Sequence, residues 1–289
     1  MPSSTRRNFL RAGALAAGGA LAVGADAFAW EPNHPHLVKI EIALRRLPEA
    51  WDGFRIAQLS DFHYDEYFSI VPLRRAIGMV NDLKPDMVAL TGDFVTAPAW
   101  GSSEADAVRA AKTVEPCAAL LAQIHSRLGS FAVLGNHDDG SDGDIVKDGL
   151  KSHGITVLRN GALPLTQSGA RLWLAGIDDA LQGQPDLDLA LRSVPHEEPV
   201  LLMAHEPDFA LQTKQYPVDL QLSGHSHGGQ VRLPLIGAPW LPPLGRKFPR
   251  GLYKLGNLTL YTNIGLGTVR VAVRLNCPPE ITLITLRRE

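Results

Sequence analysis

Residues 86–93 read DMVALTGD, a short apolar run that ends in a glycine and a carboxylate. Residues 54–61, FRIAQLSD, form a similar run that ends in a serine and a carboxylate. Between the two runs, residues 71–83 place apolar side chains at spacings of three and four, which is the helical pattern. The alternation of short strands with helical stretches continues along the chain from Leu37 and predicts an α/β domain.

The apolar runs predict ten strands, and the stretches between them predict three helices. The strands are expected at 38–44, 54–59, 86–90, 130–134, 156–158, 171–175, 200–204, 219–222, 258–262 and 280–286. The helices are expected at 71–83, 104–128 and 144–153. No internal repeat, charge block or second linker interrupts this pattern, so we predict one domain over residues 37–289.

Polar residues that can bind metals follow five of the predicted strands. They are Asp61, His63, Asp93, Asn136, His205, His225 and His227. In α/β sheets, binding sites form beyond the carboxyl ends of the strands. Separate polar turns with no shared role would not place such a residue at five strand ends, so we predict one common site.

Residues 220–230, LQLSGHSHGGQ, add the last two histidines of this set. In an extended backbone, side chains at positions i and i+2 point the same way. The flanking glycines permit a sharp turn and a close approach to another group. His225 and His227 are therefore expected to be metal ligands.

Seven nitrogen and oxygen ligands are too many for one ion but suit two ions that share a carboxylate. Two-metal sites with ions about 3.5–4 Å apart bind the attacking and leaving oxygens of a displacement at phosphorus. Asp93 is our candidate for the bridge, because a carboxylate has two oxygens to share. The ligand types suit Mn, Zn or Fe. The two cysteines, Cys117 and Cys277, are too few for a thiolate zinc site.

Together these blocks resemble the calcineurin-like metallophosphoesterase family. The blocks are Asp61-x-His63, Gly92-Asp93, Gly135-Asn136-His137-Asp138, His205 and Gly224-His225-x-His227, in that order. Residues 258–286 also look like the exported bacterial members of the family, and the resemblance spans roughly residues 37–288. It implies two facing mixed β-sheets flanked by helices.

The resemblance also implies a role for each site residue. Asp61, His63 and His227 would bind one ion, and Asn136, His205 and His225 the other, with Asp93 between them. His137 would be catalytic without binding metal, steadying the transition state or protonating the leaving oxygen. A metal-activated hydroxide would attack phosphorus. The chain lacks an arginine after Gly92-Asp93, unlike the protein phosphatases of the family, which disfavours phosphoprotein substrates.

The N-terminus indicates export. Arg6 and Arg7 precede an Ala/Gly-rich apolar run from Ala12 to Ala29, which resembles a twin-arginine signal. We expect residues 1–29 to be a signal peptide or an uncleaved anchor, and residues 30–36 a linker. The twin-arginine export machinery would then be a partner, and the protein would reside in the periplasm or cell envelope.

The proline-rich stretch 233–250, LPLIGAPWLPPLGRKFPR, follows the last histidine pair. Trp240 beside Arg246 and Lys247 would suit a lipid-facing substrate rim that contacts the membrane surface. The same pattern also fits a long surface loop whose aromatic residues pack on the body. Both interpretations remain open at the level of sequence.

The sequence thus predicts an exported dinuclear-metal phosphoesterase acting on phosphodiester, phosphomonoester or pyrophosphate bonds. One alternative is a pyrophosphohydrolase of a nucleotide-linked lipid precursor. Another is a non-catalytic metal-bearing scaffold, although none of the ligands is missing. The net charge of −2 and the lack of a basic stripe predict no nucleic-acid partner.

Overall fold

Short apolar runs of the sequence form buried strands in the computed structural model, which describes residues 4–99 and 101–289. The strands are β1 (His36–Leu44), β2 (Arg55–Leu59), β3 (Met87–Leu90), β4 (Ser130–Ala132), β5 (Thr156–Val157), β6 (Gly161–Gln167), β7 (Ala170–Gly176), β8 (Val200–Met203), β9 (Leu220–Ser223), β10 (Gly251–Leu255), β11 (Leu258–Thr262) and β12 (Glu280–Arg288). The helices are α1 (Ser4–Ala25), α2 (Ile70–Leu83), α3 (Glu104–Ala111), α4 (Val114–Leu121), α5 (Asn136–Ser152), α6 (Leu187–Leu191) and α7 (Ala210–Thr213).

The strands form two six-stranded mixed sheets. The first has the order β1-β12-β2-β3-β4-β5, and the second has the order β10-β11-β9-β8-β7-β6. Strands β2 to β5 run parallel to one another, as do β11, β9, β8 and β7. The carboxyl ends of the central strands of each sheet therefore lie at one edge of that sheet.

Alternation of side chains along the strands builds three apolar layers. Met87 and Ala89 of β3 face the second sheet and join a core with Leu201 and Met203 of β8. Val88 and Leu90 point the other way, into a core shared with α2, α4 and α5. A third core lies under α6 and α7 on the outer side of the second sheet. The predicted fold of two facing mixed sheets flanked by helices is confirmed.

The structure differs from the predicted elements at two edge strands and in two of the predicted helices. The edge strands β6 and β10 were not predicted. The predicted helix 104–128 is two helices, α3 and α4, that meet at Lys112 and Thr113, and the first is capped by Ser103 and Asp106. Helix α5 begins at Asn136, upstream of the predicted start at residue 144, and is interrupted by non-helical dihedrals at Asp142.

The N-terminal apolar stretch Asn8–Asn33 is helical over 26 residues and is long and apolar enough to cross a membrane, a test that signal sequences also pass. Its last part widens into a π-helical turn, Asp26–Trp30, and then tightens into a 3-10 turn, Glu31–Asn33. The side chains of Arg6 and Arg7 lie outside the part of the chain that the structure describes.

Candidate metal centre

Loops after β2, β3, β8 and β9 bring six of the seven predicted ligands together. The loop after β4 carries the seventh, Asn136, directly after Gly135, which lies against Asp93 and His205. Backbone hydrogen bonds join the loops to one another. The amide of Asp61 donates to Gly92 at 2.9 Å, the amide of His63 donates to Asp93 at 3.0 Å, and the amide of Gly224 donates to His205 at 2.9 Å. The relative positions of the ligands are thus fixed by the main chain.

Five of the seven side chains project from left-handed backbone. The φ angles are 52° for Asp61, 41° for His63, 57° for Asp93, 68° for His225 and 49° for His227. Such angles are uncommon outside glycine and persist where the surrounding structure enforces them, often at functional sites. The backbone at the His-x-His pair is therefore not extended, so the condition under which the two rings would point the same way is not met.

The rings of the pair instead join different partners. The His227 ring stacks on His63 with centroids 4.9 Å apart, whereas the His225 ring meets His205 edge-on at 5.0 Å. Two groups of metal-ligating atoms result, each with its atoms within 4.8 Å of one another. One contains Asp61, His63, Asp93 and His227, and the other contains Asp93, His205 and His225.

Asp93 belongs to both groups through a single oxygen. Its Oδ2 atom lies 3.4 Å from Nε2 of His63 and 3.2 Å from Nε2 of His205. Its other oxygen, Oδ1, accepts the backbone N–H of His137 at 2.9 Å. One carboxylate oxygen is thus held between two clusters of imidazoles, which is the geometry that a bridging ligand requires.

Several buried polar atoms at the centre lack a hydrogen-bond partner among the described residues. They include Oδ1 of Asn136 and Nε2 of His205. Buried polar atoms are normally paired, and unpaired ones call for an explanation such as a bound ion. Asn136, which the sequence assigned as a neutral ligand beside His205, thus presents an acceptor of the kind a cation would use.

Hydrogen bonds orient the ligand rings. Nδ1 of His205 contacts the carbonyl of Thr91 at 2.6 Å, which leaves Nε2 for a metal. Nε2 of His225 contacts the carbonyl of Pro243 at 2.7 Å, which leaves Nδ1. Nδ1 of His63 lies 3.2 Å from the Thr96 hydroxyl. Metal-binding histidines typically use their second nitrogen in this way, which fixes the tautomer and the ring orientation.

Burial sets the charge of the imidazoles. It lowers the pKa of His63 to about 3 and that of His225 to about 4. Burial likewise lowers the pKa of His227. These rings are neutral near pH 7, as metal ligands must be. For His205, burial opposes the charged form, but the carboxylates of Asp93, Asp61 and Glu206 together outweigh burial and raise the pKa. A bound cation would take the place of that proton.

His137 lies beside the two groups without joining them. Its ring meets that of His63 edge-on with centroids 4.7 Å apart. Its Nδ1 accepts the backbone N–H of Ala97 at 3.0 Å, so the neutral ring carries its proton on Nε2. The ring is partly exposed, so His137 offers an N–H donor at the open side of the centre.

Asp138 is a residue of the site that our sequence-based site assignment missed. Its carboxylate is fully buried and accepts the backbone N–H groups of Asp93, Phe94, Val95 and Gly135. It therefore fixes the loop that carries Asp93 relative to the start of α5. Its place directly after Asn136 and His137 was the available signal.

Two glycines allow the ligand loops to approach closely. A Cβ atom at Gly224 would lie 1.8 Å from Oγ of Ser60 and 2.5 Å from Oδ2 of Asp61. A Cβ atom at Gly92, where φ is 96°, would lie 2.6 Å from Nδ1 of His205. The expectation that glycines let the chain pass close to the ligands is confirmed at Gly224.

The 233–250 loop has a supporting side and an exposed side. On the supporting side, the carbonyl of Pro243 contacts Nε2 of His225, and the carbonyl of Pro249 accepts the Ser226 hydroxyl at 2.5 Å. Trp240 is exposed and lines a small pocket of about 210 Å³ together with His227, Val269 and Arg270. The candidate rim residues Arg246 and Lys247 are exposed and donate their backbone N–H groups to Asp208. They do not line that pocket.

The fold and the centre together define a class of metal-dependent phosphoesterases. The sequence model of the calcineurin-like phosphoesterase family matches residues 54–229, more than half of the chain. The chain belongs to this family. The predicted resemblance is thereby confirmed at the level of the family.

Relatives cover nearly the whole chain. The uncharacterized metallophosphoesterase YkuE of Bacillus subtilis is 38% identical over 99% of this chain and 99% of its own length. The phosphodiesterase YaeI of Escherichia coli is 31% identical over 98% of this chain and 99% of its own. The UDP-2,3-diacylglucosamine pyrophosphatase LpxG of Chlamydia trachomatis is 26% identical over 87% and 91%. The protein is a metallophosphoesterase, as the sequence predicted.

Proposed function

We propose that this protein is an exported phosphoesterase that uses two divalent ions to hydrolyse phosphodiester, phosphomonoester or pyrophosphate bonds. The observation that supports this most is the position of Asp93 Oδ2, which faces His63 and His205 at 3.4 and 3.2 Å. No other described carboxylate belongs to both ligand groups. Two ions at these groups would bind the attacking and leaving oxygens of an in-line displacement.

We assign the ligands by the two groups. Asp61, His63 and His227 hold one ion, and Asn136, His205 and His225 hold the other, with Asp93 between them. Asn136 contributes an uncharged oxygen. The proposed ligand set therefore contains two carboxylates, Asp61 and Asp93, and with two divalent ions keeps positive charge for an anionic phosphate. The ligand set fits Mn, Zn or Fe.

His137 is the residue that we assign to proton transfer. With Nδ1 accepting the Ala97 amide, the neutral ring can donate its Nε2–H as a hydrogen bond to a phosphate oxygen. To protonate the leaving oxygen, the ring would first take up a second proton at Nδ1 in place of the Ala97 contact. A positioned imidazole serves well as a general acid because it titrates near neutral pH. Its backbone N–H also orients Asp93, so one residue links the donor and the bridge.

A lipid-linked pyrophosphate is a second candidate substrate. The pocket formed by Trp240, Val269 and Arg270 opens beside the ligand His227 and combines apolar surface with one cation. Such a pocket suits a substrate with a phosphate group and an apolar part. The relative LpxG, named as a pyrophosphatase of a diacylated nucleotide sugar, supports this candidate.

Export is part of the proposal because an apolar helix precedes the domain. We propose the twin-arginine route from Arg6 and Arg7, with the domain in the periplasm or cell envelope and α1 as its signal or anchor. Replacing both arginines by lysine keeps the charge and should retain the protein in the cytoplasm. Unchanged fractionation of the variant would contradict this route.

The central experiment compares a chromogenic phosphodiester with the matching phosphomonoester, using the full chain in detergent. The protein is assayed metal-free and after addition of Mn, Zn or Fe, together with Asp93→Ala and His137→Ala. We expect metal-dependent hydrolysis that both variants lose, and the preferred ester identifies the substrate class. Two ions bound per chain without hydrolysis of either ester, or of a lipid-linked pyrophosphate, would indicate a non-catalytic scaffold instead.

A further inference from the structure

We propose that the domain is seated directly on a lipid bilayer through an aromatic patch around the exit of α1. The patch consists of Phe28, Trp30, Tyr67, Phe68, Val71 and Val271. The inference rests on the anchor form of the proposed function, in which α1 stays attached. It identifies a membrane-binding surface and an orientation of the domain on the bilayer, neither of which follows from the metal centre.

The first observation is that the segment joining α1 to the domain is hydrogen-bonded to the domain and does not form a free linker. Ala27 is buried, and its carbonyl accepts the backbone N–H of Arg274 at 2.9 Å. The carboxylate of Glu31 accepts the N–H groups of Asn276 and Cys277. Arg75 of α2 donates to the carbonyl of Asn33 at 2.5 Å. The segment expected to be a linker is thus bound to the body.

Because α1 is bound to the domain, inserting α1 into a membrane determines which surface of the domain faces that membrane. Apolar residues of α1 such as Leu15 and Leu21 are about three-quarters exposed, at 77% and 75%, and gain a partner only in a bilayer. Because the chain is bound to the body from Ala27 onward, the surface around Ala27 must come within a few residues of the bilayer. That surface is the aromatic patch.

The second observation is that the patch residues are exposed and that four of the six line one cleft. Phe28 is 61% exposed, Trp30 62%, Tyr67 81% and Phe68 61%. Phe28, Tyr67, Phe68 and Val71 line one shallow cleft with Leu266 and Ala272. Contiguous exposed apolar surface marks interaction sites, and Trp and Tyr are enriched where proteins meet the membrane interface.

The third observation is that hydrogen bonds fix the turn that carries two exposed residues of the patch, Tyr67 and Phe68. The carboxylate of Asp65 accepts the backbone N–H groups of Tyr67 at 2.8 Å and Phe68 at 2.6 Å. The Ser69 hydroxyl accepts the Asp65 N–H at 2.6 Å and closes the same turn. These bonds hold the two aromatic side chains outward, so their exposure is a property of an ordered turn.

The patch also adjoins the opening of the metal centre. Residues 65–71 follow the ligand His63 by a short stretch, and residues 268–272 run from the cleft to the pocket of Trp240. Seating the patch on the bilayer would bring that pocket to the lipid surface. A phosphate ester embedded in the membrane could then reach the ions without leaving it.

The test measures depth in the membrane. Single cysteines replace Phe68, Leu15 or Leu189, are labelled with an environment-sensitive fluorophore, and are placed as full-length protein in nanodiscs of phosphatidylethanolamine and phosphatidylglycerol. Cys117 and Cys277 are buried and should not be labelled. Leu189 lies on α6, which packs on the outer side of the second sheet, and serves as the matched exposed control.

We expect brominated lipid chains to quench the label at positions 15 and 68 several-fold more than the label at position 189. Quenching at position 15 but not at 68 would overturn the proposal, because the domain would then stand off the membrane. A mature chain in cells that starts after Ala27 or Ala29 would also overturn it. Hydrolysis of a soluble phosphodiester by the same samples reports on the proposed function separately, since Phe68 does not touch the centre.

Discussion

The carboxylate of Asp138 accepts the backbone N–H of Asp93 at 2.9 Å and so positions the residue shared by the two ligand groups. Three further amides, from Phe94, Val95 and Gly135, depend on the same carboxylate. We expect Asp138→Ala to destabilise the protein by roughly 3 kcal/mol, because it leaves several buried donors without an acceptor. Chemical unfolding and metal content measure the effect. Asp148→Ala, on the exposed side of the same helix, is the control, and an equal loss in both would contradict this role.

Metal stoichiometry tests the division of the ligands between two ions. His227 belongs to one group and His205 to the other, whereas Asp93 belongs to both. We expect His227→Ala and His205→Ala each to lower the bound metal from about two ions to about one, and Asp93→Ala to weaken both. Elemental analysis after gel filtration gives the count. His125→Ala, an exposed histidine outside the centre, should change nothing. An Asp93 variant that loses only one ion and binds the other as tightly as before would argue against the assignment.

The strand ends that carry the centre could be predicted from sequence because the signal is local. An apolar run followed by a polar turn identified the loops of Asp61, Asp93, His205 and the His225 pair. The general rule that sites lie beyond the carboxyl ends of parallel strands was then enough to predict that these loops form one site. The same pattern identified the loop of Asn136, and the order of the blocks added the family and with it the role of His137.

Other features depend on contacts between distant segments and left no local pattern. The left-handed backbone at His225 and His227 is imposed by packing of loops, so the sequence indicated a turn after residue 222 but not the directions of the two rings. Strands β6 and β10 form at sheet edges, where pairing with a neighbour decides the conformation more than composition does. Asp138 looks like any helix-start carboxylate until the amides of the Asp93 loop are placed beside it.

The dependence of the reaction rate on the leaving group tests whether His137 protonates the leaving oxygen. If His137 protonates the departing oxygen, its contribution to the rate falls as the leaving group becomes more acidic. We expect His137→Ala to slow hydrolysis of an alkyl phosphodiester by about 10²-fold or more, and that of a nitrophenyl ester much less. The measurement is kcat over a series of esters with metal content held equal. A uniform loss across the series would assign His137 to transition-state binding without proton transfer.

Trp240 distinguishes the two candidate substrates. It is exposed and lines the pocket beside His227, so it can contact the apolar part of a lipid-linked phosphate. We expect Trp240→Ala to reduce kcat/KM for a lipid-linked pyrophosphate while sparing a small soluble phosphodiester. Leu252→Ala, an exposed apolar residue on β10, should leave both unchanged. Equal loss on the two substrates in the Trp240 variant would mean that the loop only supports the ligands.

Glu31 tests whether the segment after α1 stabilises the centre. Its carboxylate accepts two backbone N–H groups, from Asn276 and Cys277, and the Cys277 thiol contacts the carbonyl of His227 at 3.2 Å. We expect Glu31→Ala to cost about 1–2 kcal/mol of stability, since both donors lose a charged acceptor. Glu31→Gln keeps one acceptor oxygen and should fall between wild type and Glu31→Ala in thermal unfolding of the metal-free full chain. Glu197→Ala, an exposed carboxylate on the second-sheet side, is the control, and a Glu31 variant no less stable than that control would show that the segment is only a tether.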